Sequence, residues 1–124
     1  MRFMMLMIPK GYETAAPGTM PDAKAVAAMM QYNEALQRAG VLLTLDGLHP
    51  PSMGARVTFP GGKAKVTDGP FAEAKEVLGG FNIIEARDMD EAVTIALKFP
   101  WAATGCVEVR PIRDVATVRR AVGG

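Results

Sequence analysis

Cys106 and His49 are the only cysteine and the only histidine in this 124-residue chain. A lone cysteine forms no intrachain disulfide, so a reducing cytoplasm is the expected compartment. One His and one Cys cannot assemble a His/Cys zinc site, and the carboxylates lack the spacing of a calcium loop, so no metal is expected. Long apolar runs are missing too: nothing approaches the ~20 residues that a membrane span requires. The opening MRFMMLMIPKG carries about six apolar residues before Pro9 and Lys10, short of the roughly 7–15 of a secretory signal. An excess of one charge is absent as well, with 14 Lys and Arg against 13 Asp and Glu and a net charge of +1. The basic residues are scattered and not interleaved with aromatics, which argues against nucleic-acid binding. Gly61-Gly62 and Gly79-Gly80 match neither a phosphate loop nor a dinucleotide fingerprint, so no nucleotide cofactor is implied; they read as a hairpin turn and a helix stop.

What is present is an ordinary globular composition, 49% hydrophobic and 22% charged, at a length suited to one domain over residues 1–124. Arg2 to Ile8 reads as a strand apolar on both faces, Phe3, Met5 and Met7 against Met4, Leu6 and Ile8. Thr19 as cap, with Asp22 at the capping-box position, predicts a helix up to Gly40 with a stripe of Val26, Met29, Met30 and Leu36 that Asn33 interrupts. Val41 to Leu48 predicts a second two-faced strand, and His49-Pro50-Pro51 a forced extended loop. ARVTF-PGG-KAKVT alternates as a hairpin does, with Arg56, Thr58, Lys63 and Lys65 toward water. Gly80 to Ala86 predicts a strand. Asp88 then caps a helix with Met89, Ala92, Val93, Ala96 and Leu97 on one stripe, stopped by Pro100. Cys106 to Ile112 reads as an edge or half-exposed strand, with Cys106 a small core residue, and Asp114 to Val122 as a short helix. The nine methionines are expected mainly at core positions of the first strand and helix.

The order βαβ, hairpin, βαβ gives a ferredoxin-like α+β sandwich, βαββαβ with an inserted β-hairpin, whose antiparallel sheet carries its helices on one face. Strands apolar on both faces need a second cover, most simply another copy of the chain, so a sheet-to-sheet homodimer is expected.

The densest chemistry lies in TDGPFAEAKEVLGGF, Thr67 to Phe81. Asp68, Gly69 and Pro70 suit a turn opening a helical turn from Pro70 to Leu78, which is a sufficient structural account. The functional account rests on Asp68, Glu73, Lys75 and Glu76, three carboxylates and an amine within nine residues, a density that shifts pKa values when part of it is desolvated. Trp101 suits a pocket wall or a subunit interface equally well.

This motif, with GLHPPSMGARVTFPGGKAKV upstream and DEAVTIALKFP and EVRPI downstream, closely resembles the DGPF branch of the YCII-related family, over nearly the whole chain to Pro111. The resemblance implies a ferredoxin-like fold of the dimeric α+β barrel kind, in bacteria, with genes often beside or fused to extracytoplasmic-function sigma factors. The broader superfamily has a proposed catalytic His and Asp pair with its His on the first helix. Here that helix, Met20 to Ala39, carries Met29, Gln31 and Asn33 and no histidine. The expected site is therefore His49 as proton carrier oriented by Asp68, with Phe71, Glu73, Lys75 and Glu76 holding a small polar molecule. Chemistry of lyase, isomerase or hydrolase type is one outcome. The other is a non-catalytic sensor or accessory module working with a sigma factor.

Overall fold

Three aspartates open the three α-helices among the described residues. Asp22, Asp88 and Asp114 each hold extended backbone and accept a hydrogen bond from the amide three residues on, Ala25 at 2.8 Å, Glu91 at 2.9 Å and Thr117 at 2.7 Å. They start α1 (Ala23–Arg38), α2 (Met89–Leu97) and α3 (Val115–Ala121). Such caps satisfy amides that a first helical turn leaves without partners. The expected start of α1 is corrected by one turn: Asp22 is itself the cap, while the Thr19 hydroxyl turns back to donate to the Ala16 carbonyl at 2.6 Å. Gly40, at φ +73°, ends α1, its amide on the Gln37 carbonyl and that of Val41 on Leu36. The structure, a computed structural model, describes residues 1–20, 22–71, 76–100 and 105–123.

β1 (Arg2–Ile8), β2 (Leu42–Gly47), β5 (Gly80–Glu85) and β6 (Cys106–Pro111) form one antiparallel sheet in the order β2-β5-β1-β6. β3 (Ala55–Thr58) and β4 (Lys65–Asp68) form a separate hairpin. The two halves of the chain thus interleave their strands, as the ferredoxin-like fold requires, and the hairpin sits where the sequence inserts it. No helix among the described residues is long and apolar enough to cross a membrane.

Strand alternation sorts the sheet into two faces. Phe3, Met5 and Met7 of β1 lie opposite Ile84, Asn82 and Gly80 of β5, and all six are buried. Tyr32 and Leu36 of α1, Ala86, Ala92 of α2 and Phe99 join this core. The Tyr32 hydroxyl donates to the Ile95 carbonyl at 2.8 Å, and its ring meets Phe99 edge-on at 5.3 Å between centroids. Asn82, at 4% exposure the buried polar residue of the core, donates from Nδ2 to Asn33 Oδ1 at 3.2 Å. The break that Asn33 makes in the apolar stripe therefore has a purpose, since a buried amide needs a partner from α1.

Met4, Leu6, Ile8, Phe81 and Ile83 point to the other face and are half-buried. No residue of this face belongs to the buried core.

Several expectations are corrected. β2 is the edge of the sheet, so Leu43 and Leu45 stand exposed and not buried on both faces, and its pairing shifts register between Leu42 and Thr44. The buried side of α1 runs through Met29, Tyr32, Asn33 and Leu36, leaving Val26 and Met30 exposed. In α2 the inward residues are Ala92, Ile95 and Ala96, while Met89, Val93 and Leu97 face outward. Cys106 is an exposed free thiol at the start of the edge strand β6, opposite Ile8, and not a core residue. Among the methionines only Met5 and Met7 are fully buried, with Met29 packed against the core; Met20, Met30, Met53 and Met89 are exposed.

Candidate functional site

Pro50 fixes the local geometry. Its φ of −64° and extended ψ lead from His49 into the short 3-10 turn Pro51–Met53, and its side chain is buried. That turn closes through Met53 N to the Pro50 carbonyl and Gly54 N to the Pro51 carbonyl, both 2.9 Å. It is tied to the β1–α1 connection twice: the Tyr12 hydroxyl donates to the Leu48 carbonyl at 2.5 Å, and Ser52 Oγ donates to the Ala15 carbonyl at 3.0 Å. Burial pushes the Tyr12 phenol above its ordinary pKa.

The DGP turn docks on this loop. Gly69 N donates to the Gly54 carbonyl at 2.8 Å, and a Cβ on Gly69 would overlap the Pro51 carbonyl oxygen outright and stand 2.6 Å from its carbon. Only glycine fits. The Gly69–Pro70 peptide is cis. The pair Gly79-Gly80 makes an equally close approach at the entry to β5: a Cβ would lie 2.8 Å from the Pro9 ring at Gly79 and 2.9 Å from the Asp46 carbonyl oxygen at Gly80. Gly79 also bonds through its amide to the Met7 carbonyl at 2.7 Å and through its carbonyl to Leu48 N at 2.9 Å. This pair is a close-packed strand junction and not the helix stop that was expected. Residues 72–75, the middle of the expected helical turn, lie outside the described residues; at its ends Phe71 and 76–78 are not helical.

Between the proline loop and the DGPF segment lies an open cleft of about 360 Å³. His49, Arg56, Phe71 and Glu76 supply its polar and aromatic lining, and Pro50, Pro51, Met53, Val77 and Leu78 its apolar walls. Three of the expected site residues, His49, Phe71 and Glu76, are thus brought together. Glu73 and Lys75 lie outside the described residues, as does Trp101. Asp68 is the last residue of β4, exposed, paired with Ala55, and is not part of the cleft lining. No hydrogen bond joins it to His49.

Arg56 was missed. Hairpin alternation sends it toward water, and it is exposed, yet its guanidinium stacks over the Phe71 ring at 4.1 Å from the centroid. Such a contact draws the cation to the aromatic face and limits where the guanidinium sits. Nothing local in the sequence signals it, because the partners are fifteen residues apart on different elements. No carboxylate among the described residues forms an ion pair with Arg56. No group of three or more His, Cys, Asp or Glu among the described residues is arranged to hold a metal ion.

Residues 1–116 match the YCII-related domain. The chain is also 34% identical over 101 residues to an uncharacterised protein of Rhizobium meliloti (strain 1021), an alignment covering 80% of this chain and 82% of that protein.

Proposed function

The chain belongs to the YCII-related family, and from that premise we propose that it is a DGPF-type member that binds a small molecule in the cleft beside the DGPF turn. The observation that carries this reading is the convergence of His49, Arg56, Phe71 and Glu76 on one concave, otherwise apolar surface. A few polar groups on apolar walls is the usual make-up of a small-molecule site, and about 360 Å³ falls in the size range of such sites. His49 carries the one imidazole of the chain and lies in this lining, so it is the proton carrier if turnover occurs. Asp68 stands outside the lining, which leaves Glu76 as the acid that shares the cleft with His49.

A second reading, a non-catalytic sensor or accessory module acting beside a sigma factor, is favoured by one observation: no hydrogen bond among the described residues orients His49. A general base held ready for catalysis is ordinarily positioned by a partner. Both readings take the protein as a cytoplasmic homodimer joined through the half-buried sheet face.

Native mass spectrometry of the gently purified protein, beside the same protein denatured, tests the binding reading. A small adduct that disappears on denaturation is expected, and its mass identifies the compound to offer to the enzyme assay. With that compound in hand, His49→Gln separates the two readings: turnover lost with binding retained supports catalysis, whereas binding without turnover in the wild type supports the sensor.

A further inference from the structure

We infer that the cleft takes a small monocarboxylate with an apolar body, its carboxylate seated on Arg56. This deepens the small-molecule reading of the same cleft and rests on it. A guanidinium carries five N–H donors in one plane. Its central carbon lies over the Phe71 ring, 4.1 Å from the centroid, a contact that limits where these donors can sit. No carboxylate among the described residues takes them up. A planar fork held over an aromatic ring is matched best by a planar, two-oxygen anion, which accepts two parallel hydrogen bonds.

The remaining lining sets the rest of the ligand. Pro51, Met53, Val77 and Leu78 present hydrocarbon to whatever lies beyond the carboxylate. A purely polar acid would lose solvation against them without compensation. Glu76 sets the charge. Among the described lining residues one carboxylate stands beside one guanidinium, so a single negative charge is neutralised by Arg56 while a second one faces Glu76 uncompensated. The cleft thereby discriminates against phosphate and dicarboxylates, and a ring N–H of His49 is a further donor within the lining.

The test is an amide-resonance titration of the full-length protein with three probes at fixed ionic strength: benzoate, its neutral counterpart benzamide, and inorganic phosphate. The expected result is saturable movement of the Gly54 and Val77 resonances with benzoate, with benzamide and phosphate each weaker by about tenfold or more. Arg56→Gln should weaken benzoate by a similar factor and leave benzamide unchanged. Arg56→Lys, which keeps the charge but not the fork, should fall between the two. Because Arg56 is exposed, retention of the wild-type resonance pattern elsewhere verifies that each variant is folded. Benzamide binding as tightly as benzoate, phosphate binding more tightly, or Arg56→Gln leaving benzoate binding intact would overturn the carboxylate assignment while the cleft itself stands. No movement with any probe, together with no adduct in the native mass spectrum, would overturn the small-molecule reading and this one with it.

Discussion

Gly69 is glycine because the Pro51 carbonyl occupies the position its Cβ would take. Gly69→Ala must therefore push the DGP turn off the proline loop or bend both backbones. Overpacking of this kind costs about 1–3 kcal/mol, and the expected outcome is a lower denaturant midpoint with an unchanged slope. Unaltered stability would mean that the two loops separate without cost. Tyr32 gives a second prediction at this scale. Burial pushes its phenol up to about 12, above the ordinary 10.0. The folded state thus holds this proton more tightly than the unfolded chain does. Its contribution to stability is complete below the unfolded pKa near 10 and is lost as pH rises toward about 12. Phenolate absorbance should accordingly lag behind that of a free tyrosine, and Tyr32→Phe should flatten the alkaline fall in stability.

The helix caps separate by what their helices bury. Removing an aspartate cap costs about 0.5–2 kcal/mol at the helix it serves. α2 carries Ala92 into the core, so Asp88→Ala should lower the global melting temperature, whereas α3 buries no residue and Asp114→Ala should fray that helix alone. Hydrogen exchange would distinguish the two, with faster exchange confined to 115–121 in the second variant. The cap of α2 was legible in the sequence because a cap is a local event, an acid, three residues, an amide; at α1 the same pattern offered Thr19 one turn before the true cap, Asp22. Strand identity and order were legible for a related reason, since βαβ, hairpin, βαβ leaves few ways to close an antiparallel sheet. Helix phase was less so. In α1, Val26 and Met30 are as apolar as Met29, and the buried anchor is Tyr32, whose hydroxyl needs the carbonyl of Ile95 on the other helix. In α2, small Ala92 points inward and larger Leu97 outward, a choice made by the depth of the groove and not by hydropathy. The site divides similarly. His49, Phe71 and Glu76, which the sequence singled out, lie on two loops that line one cleft, whereas Arg56 joins them through a contact between elements.

The unevenness of the sheet carries the argument to the whole molecule. One face is sealed by α1 and α2, while Met4, Leu6, Ile8, Phe81 and Ile83 form a continuous apolar patch on the other, with Leu6 paired to Phe81 and Met4 to Ile83. At the margins stand Arg2, Asp46, Glu85, Glu108 and Arg110, a mixed-charge border. An apolar centre ringed by polar residues is the anatomy of an interface. A second copy is the simplest cover, because a two-fold contact needs only one self-complementary patch. Sedimentation should therefore give twice the 13.2 kDa chain mass. The thermal midpoint should rise with protein concentration, as dissociation and unfolding are then linked. Leu6→Glu sets a carboxylate in the middle of the patch on both copies at once, where each would be desolvated and face the other across the axis. It should yield a monomer with unchanged helix and strand content, since Leu6 points away from the buried core. A wild-type protein that sediments as a monomer at every concentration would remove the dimer and leave the open face to a different partner. A dimer that survives Leu6→Glu would move the contact to another surface, of which the exposed Val57, Phe59 and Val66 of the hairpin are the next to test.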